Sequence, residues 1–230
     1  TVGYTERYAF IAMFQAVGEG GAFFELGIPV SHAMADGLSS LRTRFESLHH
    51  GVSLKGIFEQ LDSVQGEIAA PLVMMSYLNP LLAFGYDKLA ERALAAGVCA
   101  FIVPDLPFEE SADLRAALDA KGLGLIQLVT PATPDERLQT LCEASRGFVY
   151  AVTITGITGG GAGLPADLTD YLDKVSGMSS IPVCAGFGIR EARDVAAVGQ
   201  HANGAIVGSA LVEVLEKNED PRRFLGSLFD

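Results

Sequence analysis

Apolar residues along this chain fall into short, nearly continuous runs separated by stretches in which they recur every three to four positions. The runs at 22–28, 72–77, 100–104, 123–130, 148–155, 182–187 and 204–207 predict seven β-strands. Thr1-Val2-Gly3 reads as the remnant of an eighth. Helical spacing predicts helices over 9–17, 41–48, 54–64, 86–96, 111–120, 134–143, 168–175 and 191–198. Strands without polar alternation are buried on both faces, and their alternation with amphipathic helices predicts a parallel sheet covered by helices.

Local signals support this division. Thr133-Pro134 followed by Asp135 and Glu136 reads as a helix cap with an acidic first turn. Gly97 and Gly122 stand where glycines that end helices belong. No composition break marks a linker, so a single domain over 1–230 is expected. The element count suits a (β/α)8 TIM barrel, with the N-terminal helix and most of the first strand short or missing; a doubly wound open sheet is the rival. The positions of the unusual residues favour the barrel.

Composition narrows the classes. The chain has 230 residues, 49% of them hydrophobic, which is globular composition with enough length for a sizeable core. Lys plus Arg is 16 against 28 for Asp plus Glu, a formal net charge of -12. Such acidity argues against nucleic acid or an anionic membrane as partner, but not against a small phosphorylated substrate held by backbone N–H groups. Cys99, Cys142 and Cys184 have no metal-ligand spacing and read as small core residues in a reducing compartment. No apolar run approaches a membrane span and no signal peptide is evident, so a soluble, cytoplasmic protein is expected.

Candidate chemistry gathers at strand ends. "AGFGIR" (185–190) follows the sixth predicted strand and "VGSALV" (207–212) follows the seventh. Glycine lets backbone approach a ligand, and a helix starting just afterwards points N–H groups at an anion; Ser209 adds a hydroxyl. Either cluster alone would be read as a tight turn between strand and helix. Two of them at the last two strand ends favour a phosphate site. A third glycine-rich run, 155–163, suits either a lid or a plain connection.

Glu25 carries the strongest acid–base signal, because Phe23, Phe24, Leu26 and Ile28 surround it. An apolar setting raises a carboxyl pKa and favours proton exchange near neutral pH; a buried hydrogen bond or ion pair is the plainer alternative. Asp36 lies in a short apolar stretch, yet Asp36-Gly37 is also a common turn. Tyr77 and Tyr150 lie in or at the ends of strands, where packing is the usual role and lining a pocket the rarer one. Adjacent His49 and His50 point in different directions on a helix and make no metal site. The charged tail 213–223 reads as a solvated face.

Taken together, these residues resemble the α subunit of tryptophan synthase, in order along nearly the whole chain. "ELGIPVSHAMADG" is similar to the family segment holding both catalytic carboxylates. "SYLNP", "PDLPFEES", "TPATPDERL", "GFVYAVTITGITG", "GFGI" and "GSALV" are similar to later segments. The resemblance implies a (β/α)8 barrel that cleaves indole-3-glycerol phosphate to indole and D-glyceraldehyde 3-phosphate, with no cofactor or metal. It implies that Glu25 is the general acid/base and that Asp36 accepts the indole N–H. Tyr77, Tyr150 and Phe187 would line the indole pocket. Backbone N–H groups around Gly156, Gly186, Gly188, Gly208 and Ser209 would hold the phosphate, and the run 155–163 would be the closing loop.

One loop departs from the family pattern. Where the family usually reads Phe-Ser-Asp-Pro-Leu-Ala-Asp-Gly-Pro, this chain has Val30-Ser31-His32-Ala33-Met34-Ala35-Asp36-Gly37-Leu38. An aspartate–proline pair has become His32-Ala33, in a loop that the resemblance implies contacts a β subunit. The leading expectation is therefore the lyase, with a β subunit as partner. The alternatives are a non-catalytic relative that binds and modulates a β-type subunit, and another phosphate-binding barrel enzyme.

Overall fold

The computed structural model describes residues 23–28, 53–64, 66, 68, 70–152, 166–186 and 188–229. The predicted helices over 9–17 and 41–48 lie outside the described residues, as do His49 and His50. The chain divides into two compact units, Thr1–Leu125 and Ile126–Asp230.

In the first unit, strands β1 (Phe24–Gly27), β2 (Leu72–Met75) and β3 (Val98–Ile102) pair in parallel, in that order. Helices α1 (Leu54–Asp62), α2 (Leu78–Phe84), α3 (Tyr86–Ala95) and α4 (Ala112–Asp119) accompany them. Alternate strand residues Phe24, Leu26, Leu72, Met74 and Phe101 join Ile57, Phe58, Leu81, Leu89 and Leu114 of the helices in one buried cluster. Successive strand residues point to opposite faces, so this cluster assigns Glu25, Val73 and Ala100 to the other face. The fold of this unit therefore directs a carboxylate away from its helix-packed core.

A register shift between Leu72 and Val73 leaves Cys99 without a partner position, as in a β-bulge. Cys99 is consequently exposed, its Sγ donating to the Leu72 carbonyl at 3.1 Å, and it is not the core residue expected from sequence. Gly97 and Gly122, with φ of 79° and 69°, follow α3 and α4 in the left-handed region, as expected. Helix α2 is not among the helices that the apolar spacing predicts. Pro80 sits in its first turn, where a missing N–H costs nothing, and Asp105 accepts the Leu78 N–H at 2.8 Å.

In the second unit, the last four residues of β4 (Gly124–Val129), with β5 (Val149–Val152), β6 (Val183–Gly186) and β7 (Gly204–Ile206), run parallel in sequence order. Helices α5 (Asp135–Ala144), α6 (Ala166–Met178), α7 (Ala192–Val198), α8 (Ser209–Glu216) and α9 (Pro221–Gly226) complete it. Register aligns Val129, Ala151, Ala185 and Ala205 in one row. Tyr171 of α6 donates its hydroxyl to the Val129 carbonyl of this row at 2.8 Å. Burial pushes the Tyr171 phenol well above its ordinary pKa, so it serves as a donor.

Two features of this unit differ from the sequence expectation. Thr133 does not cap α5; its Oγ1 accepts the Thr130 N–H at 3.0 Å and closes the preceding turn, while Asp135 and Glu136 supply the acidic first turn. The tail from 213 onward is not simply a solvated face. Residues 213–216 belong to α8, where Val214 is buried and Glu213 binds Arg190.

Candidate active site

Glu25 lies in β1 directly across from Val73, which in turn pairs with Ala100. The next row on the same face is Gly27, Met75 and Ile102. The carboxylate is thus half-buried between apolar rows rather than placed on the surface. Among the described residues, a Cβ added at Gly27 would meet nothing within 4 Å. The described residues thus leave Glu25's own side clear toward the C-terminal end of the strand. A carboxyl so placed can exchange protons with a molecule occupying that space.

Tyr77 follows β2 and is only 8% exposed. It is the residue before α2, with extended backbone (φ -75°, ψ 160°). Two bonds fix its neighbourhood: Ser76 donates its N–H to the Ile102 carbonyl at 3.0 Å, and Leu78 donates to Asp105. Asp105 was not singled out in the sequence. Its partner is 27 positions away, a separation that leaves no local signal.

In the second unit, register places Leu128, Tyr150, Cys184 and Gly204 in one row, with Val152, Gly186 and Ile206 in the next row on the same face. The Tyr150 ring leans along the strand over Gly186. A Cβ there would lie 2.6 Å from the phenol oxygen and 2.7 Å from Cε1. Gly186 thus supplies room for an aromatic side chain, a role the glycine cluster alone did not disclose. Behind the ring, Phe148 stands with its centroid 6.3 Å away. Cys184 is buried, which pushes its thiol pKa up to about 11 and keeps it protonated near neutral pH.

The two helix starts after β6 and β7 differ. At α7, buried Asp194 accepts the Arg190 and Glu191 N–H groups at 2.9 and 3.1 Å, so a carboxylate already fills that start. At α8, no acidic residue stands in the first turn and no side chain caps it among the described residues. Gly208 precedes this helix and Ser209 begins it; both are exposed, and the apolar "ALV" that follows leaves the first N–H groups open to an anion. Gly188, with φ of 38°, makes the turn after β6.

Of the site residues read from sequence, the described residues include Glu25, Tyr77, Tyr150, Gly186, Gly188, Gly208 and Ser209; Glu25 and Tyr150 are each second of four residues in their strands, Gly186 ends β6, and the others follow a strand. Asp36, Gly156, Phe187 and the His32-Ala33 loop lie outside the described residues. A cleft of ≈ 540 Å³ lies elsewhere, before β6 and β7, lined by Ser176, Ser179, Pro182, Gln200, His201 and Asn203 among others. It contains none of the candidate residues, and sites in barrels occupy the opposite strand ends. No helix among the described residues is long and apolar enough to cross a membrane.

Comparison with known proteins decides the family. The family model described as "Tryptophan synthase alpha chain" matches residues 1–226. The chain belongs to the tryptophan synthase alpha chain family. A Bacillus cereus (strain AH820) tryptophan synthase alpha chain is 42% identical over 200 residues, covering 87% of this chain and 78% of the relative. Among solved structures, a tryptophan synthase a2b2 complex from Pyrococcus furiosus gives a TM-score of 0.90 at 29% identity, covering 98% of this chain and 94% of its own. Tryptophan synthase subunit alpha from Legionella pneumophila gives 0.83 at 29% identity, covering 96% and 84%.

Family membership gives the fold class as the (β/α)8 TIM barrel of the tryptophan synthase alpha chains. It also settles the class of activity. The carbon–carbon lyase of tryptophan biosynthesis stands over the non-catalytic binder and over a different phosphate-binding barrel enzyme.

Proposed function

We propose that this chain cleaves indole-3-glycerol phosphate to indole and D-glyceraldehyde 3-phosphate, with Glu25 as the group that moves the protons. The observation carrying this assignment is the setting of Glu25: a carboxylate on the face away from the helix-packed cluster, among apolar strand residues, on a side that the other described residues leave clear at Gly27. Retro-aldol cleavage needs a proton delivered to indole C3 and a proton removed from the glycerol hydroxyl on the adjoining carbon. The bond between those carbons then breaks, its electrons return to the indole ring, and the hydroxyl carbon becomes the aldehyde. One carboxyl can serve both transfers without net proton change, provided it is held near the substrate in an apolar setting.

The remaining roles follow the family resemblance. Asp36 accepts the indole N–H and stabilises positive charge on the protonated ring. Tyr77, Tyr150 and Phe187 line the indole pocket, and the seating of Tyr150 over Gly186 supports a fixed aromatic wall. Gly156, Gly186, Gly188, Gly208 and Ser209 hold the phosphate. The uncapped start of α8 supports Gly208 and Ser209 most strongly, because Asp194 fills the start of α7. Phosphate binding far from the reacting carbons supplies energy that orients them.

This reading takes residues 1–230 as one β/α-barrel domain, supported by a single family model running from 1 to 226. A tryptophan synthase β subunit is the proposed partner, supported by the a2b2 complexes among the similar structures, and the cytoplasm is the proposed compartment. The test is indole release from indole-3-glycerol phosphate by the purified chain, alone and with a β subunit. Release in either condition supports the proposal, and none in both refutes it.

A further inference from the structure

The turn after β6 and helix α8 are joined by an ion pair that none of the roles above employs. Arg190 donates from both terminal guanidinium nitrogens to the two Glu213 oxygens, at 2.8 and 2.7 Å. This fork geometry is the strongest arrangement of an arginine–carboxylate pair, and it fixes orientation as well as distance. The Arg190 backbone is held independently, its N–H bound to Asp194, which is 8% exposed. Gly188, two residues earlier, makes the left-handed turn. The segment 188–190 is therefore tied at its backbone to α7 and at its side chain to α8.

Glu213 lies four positions after Ser209, so both stand on one side of α8, about a turn apart. An unpaired carboxylate there would oppose a phosphate at the start of the helix, reducing the attraction of its N–H groups. In the pair, the hydrogen bonds from Arg190 hold the Glu213 carboxyl below its usual pKa, so it remains ionised and matched with its cation.

Resting on the lyase reading above, we propose that the Arg190–Glu213 pair is a positioning clamp for the phosphate end of the substrate. It sets Gly188 against Gly208 and Ser209, and it cancels the carboxylate charge beside the helix start. Neither side chain touches the reacting atoms, so the clamp acts on binding and not on the chemical step. A simple surface ion pair would act differently. With side chains 55% and 29% exposed, it would contribute only a little stability and leave ligand affinity alone.

The experiment uses the whole chain and measures glycerol 3-phosphate binding by calorimetry, alongside KM and kcat for indole-3-glycerol phosphate. Arg190→Gln breaks the fork and leaves the carboxylate uncompensated. Its expected effect is a rise of about fivefold in Kd and KM, with kcat within about twofold of wild type. The exchanged pair, Arg190→Glu with Glu213→Arg, restores the fork and is expected to bring Kd back to within about twofold of wild type. An unchanged Kd in Arg190→Gln overturns the clamp. So does an exchanged pair no better than the single variant, or a wild-type chain that does not bind glycerol 3-phosphate. If Arg190→Gln does not fold, Arg190→Met, which keeps the apolar stem without the charge, takes its place as the single variant under the same two criteria. Because binding is read without turnover, a chain that binds glycerol 3-phosphate but releases no indole defeats the lyase reading while the clamp is still judged by Kd.

Discussion

The Tyr150 phenol occupies the space that any side chain at Gly186 would need, its oxygen 2.6 Å from the position of a Cβ there. Real Cβ atoms essentially never come so close to a neighbour, and the two residues stand on adjacent strands with little freedom to separate. Gly186→Ala is expected to displace the ring and lower kcat/KM by about tenfold or more, roughly the effect of a misplaced pocket wall. Tyr150→Phe removes only the oxygen and leaves ring carbons at 2.7 and 2.9 Å, so it should rescue Gly186→Ala poorly. A smaller residue, as in Tyr150→Val, should make the added methyl nearly harmless. Steady-state kinetics on this double-mutant cycle checks the prediction: additive losses would mean that the two positions act separately.

Asp105 gives a second prediction, this one about stability. Its carboxylate caps the first N–H of α2, next to Tyr77. Asp105→Ala is expected to cost about 1 kcal/mol in urea unfolding, the usual loss when a helix start loses its acceptor. Asp105→Asn keeps an acceptor oxygen and should recover most of that loss. Equal losses in the two variants would show that this bond is not what stabilises α2.

The difference between what was legible and what was not follows the distance over which each feature is decided. Apolar runs and helical spacing are local, and they foretold β1 through β7 to within a few residues. The predicted strand 100–104 appears at Val98–Ile102 because the bulge at Cys99 moves the pairing back and Pro104 cannot continue it. Helix α2 was hidden by Pro80, which is read as a breaker unless its place in the first turn is known. Helix α8 was hidden by "SALV", which has no polar alternation to show its period. Among the proposed site residues, Glu25 stands out in the sequence because a carboxylate in an apolar run is locally conspicuous. The caps show the same division: Asp105 depends on a long-range contact, whereas Asp194 stands three residues after Glu191 and could have been found from capping-box spacing. The Tyr150–Gly186 contact depends on register between strands, which spacing within one strand does not reveal.

Cys184 gives a pH dependence of known sign. Burial raises its thiol pKa from 9.0 to about 11, so the folded chain holds this proton where the unfolded chain releases it. The resulting stabilisation is fully present below about pH 9 and is lost as pH rises through about 11. The unfolding free energy of wild type minus that of Cys184→Ala should therefore be constant to about pH 8.5 and fall by up to about 1.4 kcal/mol per pH unit above it. A difference independent of pH across that range would contradict the assigned burial of the thiol.

The central claim is that Glu25 carries the protons, and the most direct measurement is indole release from indole-3-glycerol phosphate by wild type and Glu25→Gln under identical conditions. Glutamine keeps the shape of the side chain but cannot give and take a proton. A loss of about 10²- to 10⁴-fold in kcat is expected, with KM and the thermal unfolding midpoint close to wild type. Activity in Glu25→Gln equal to that of wild type would contradict it.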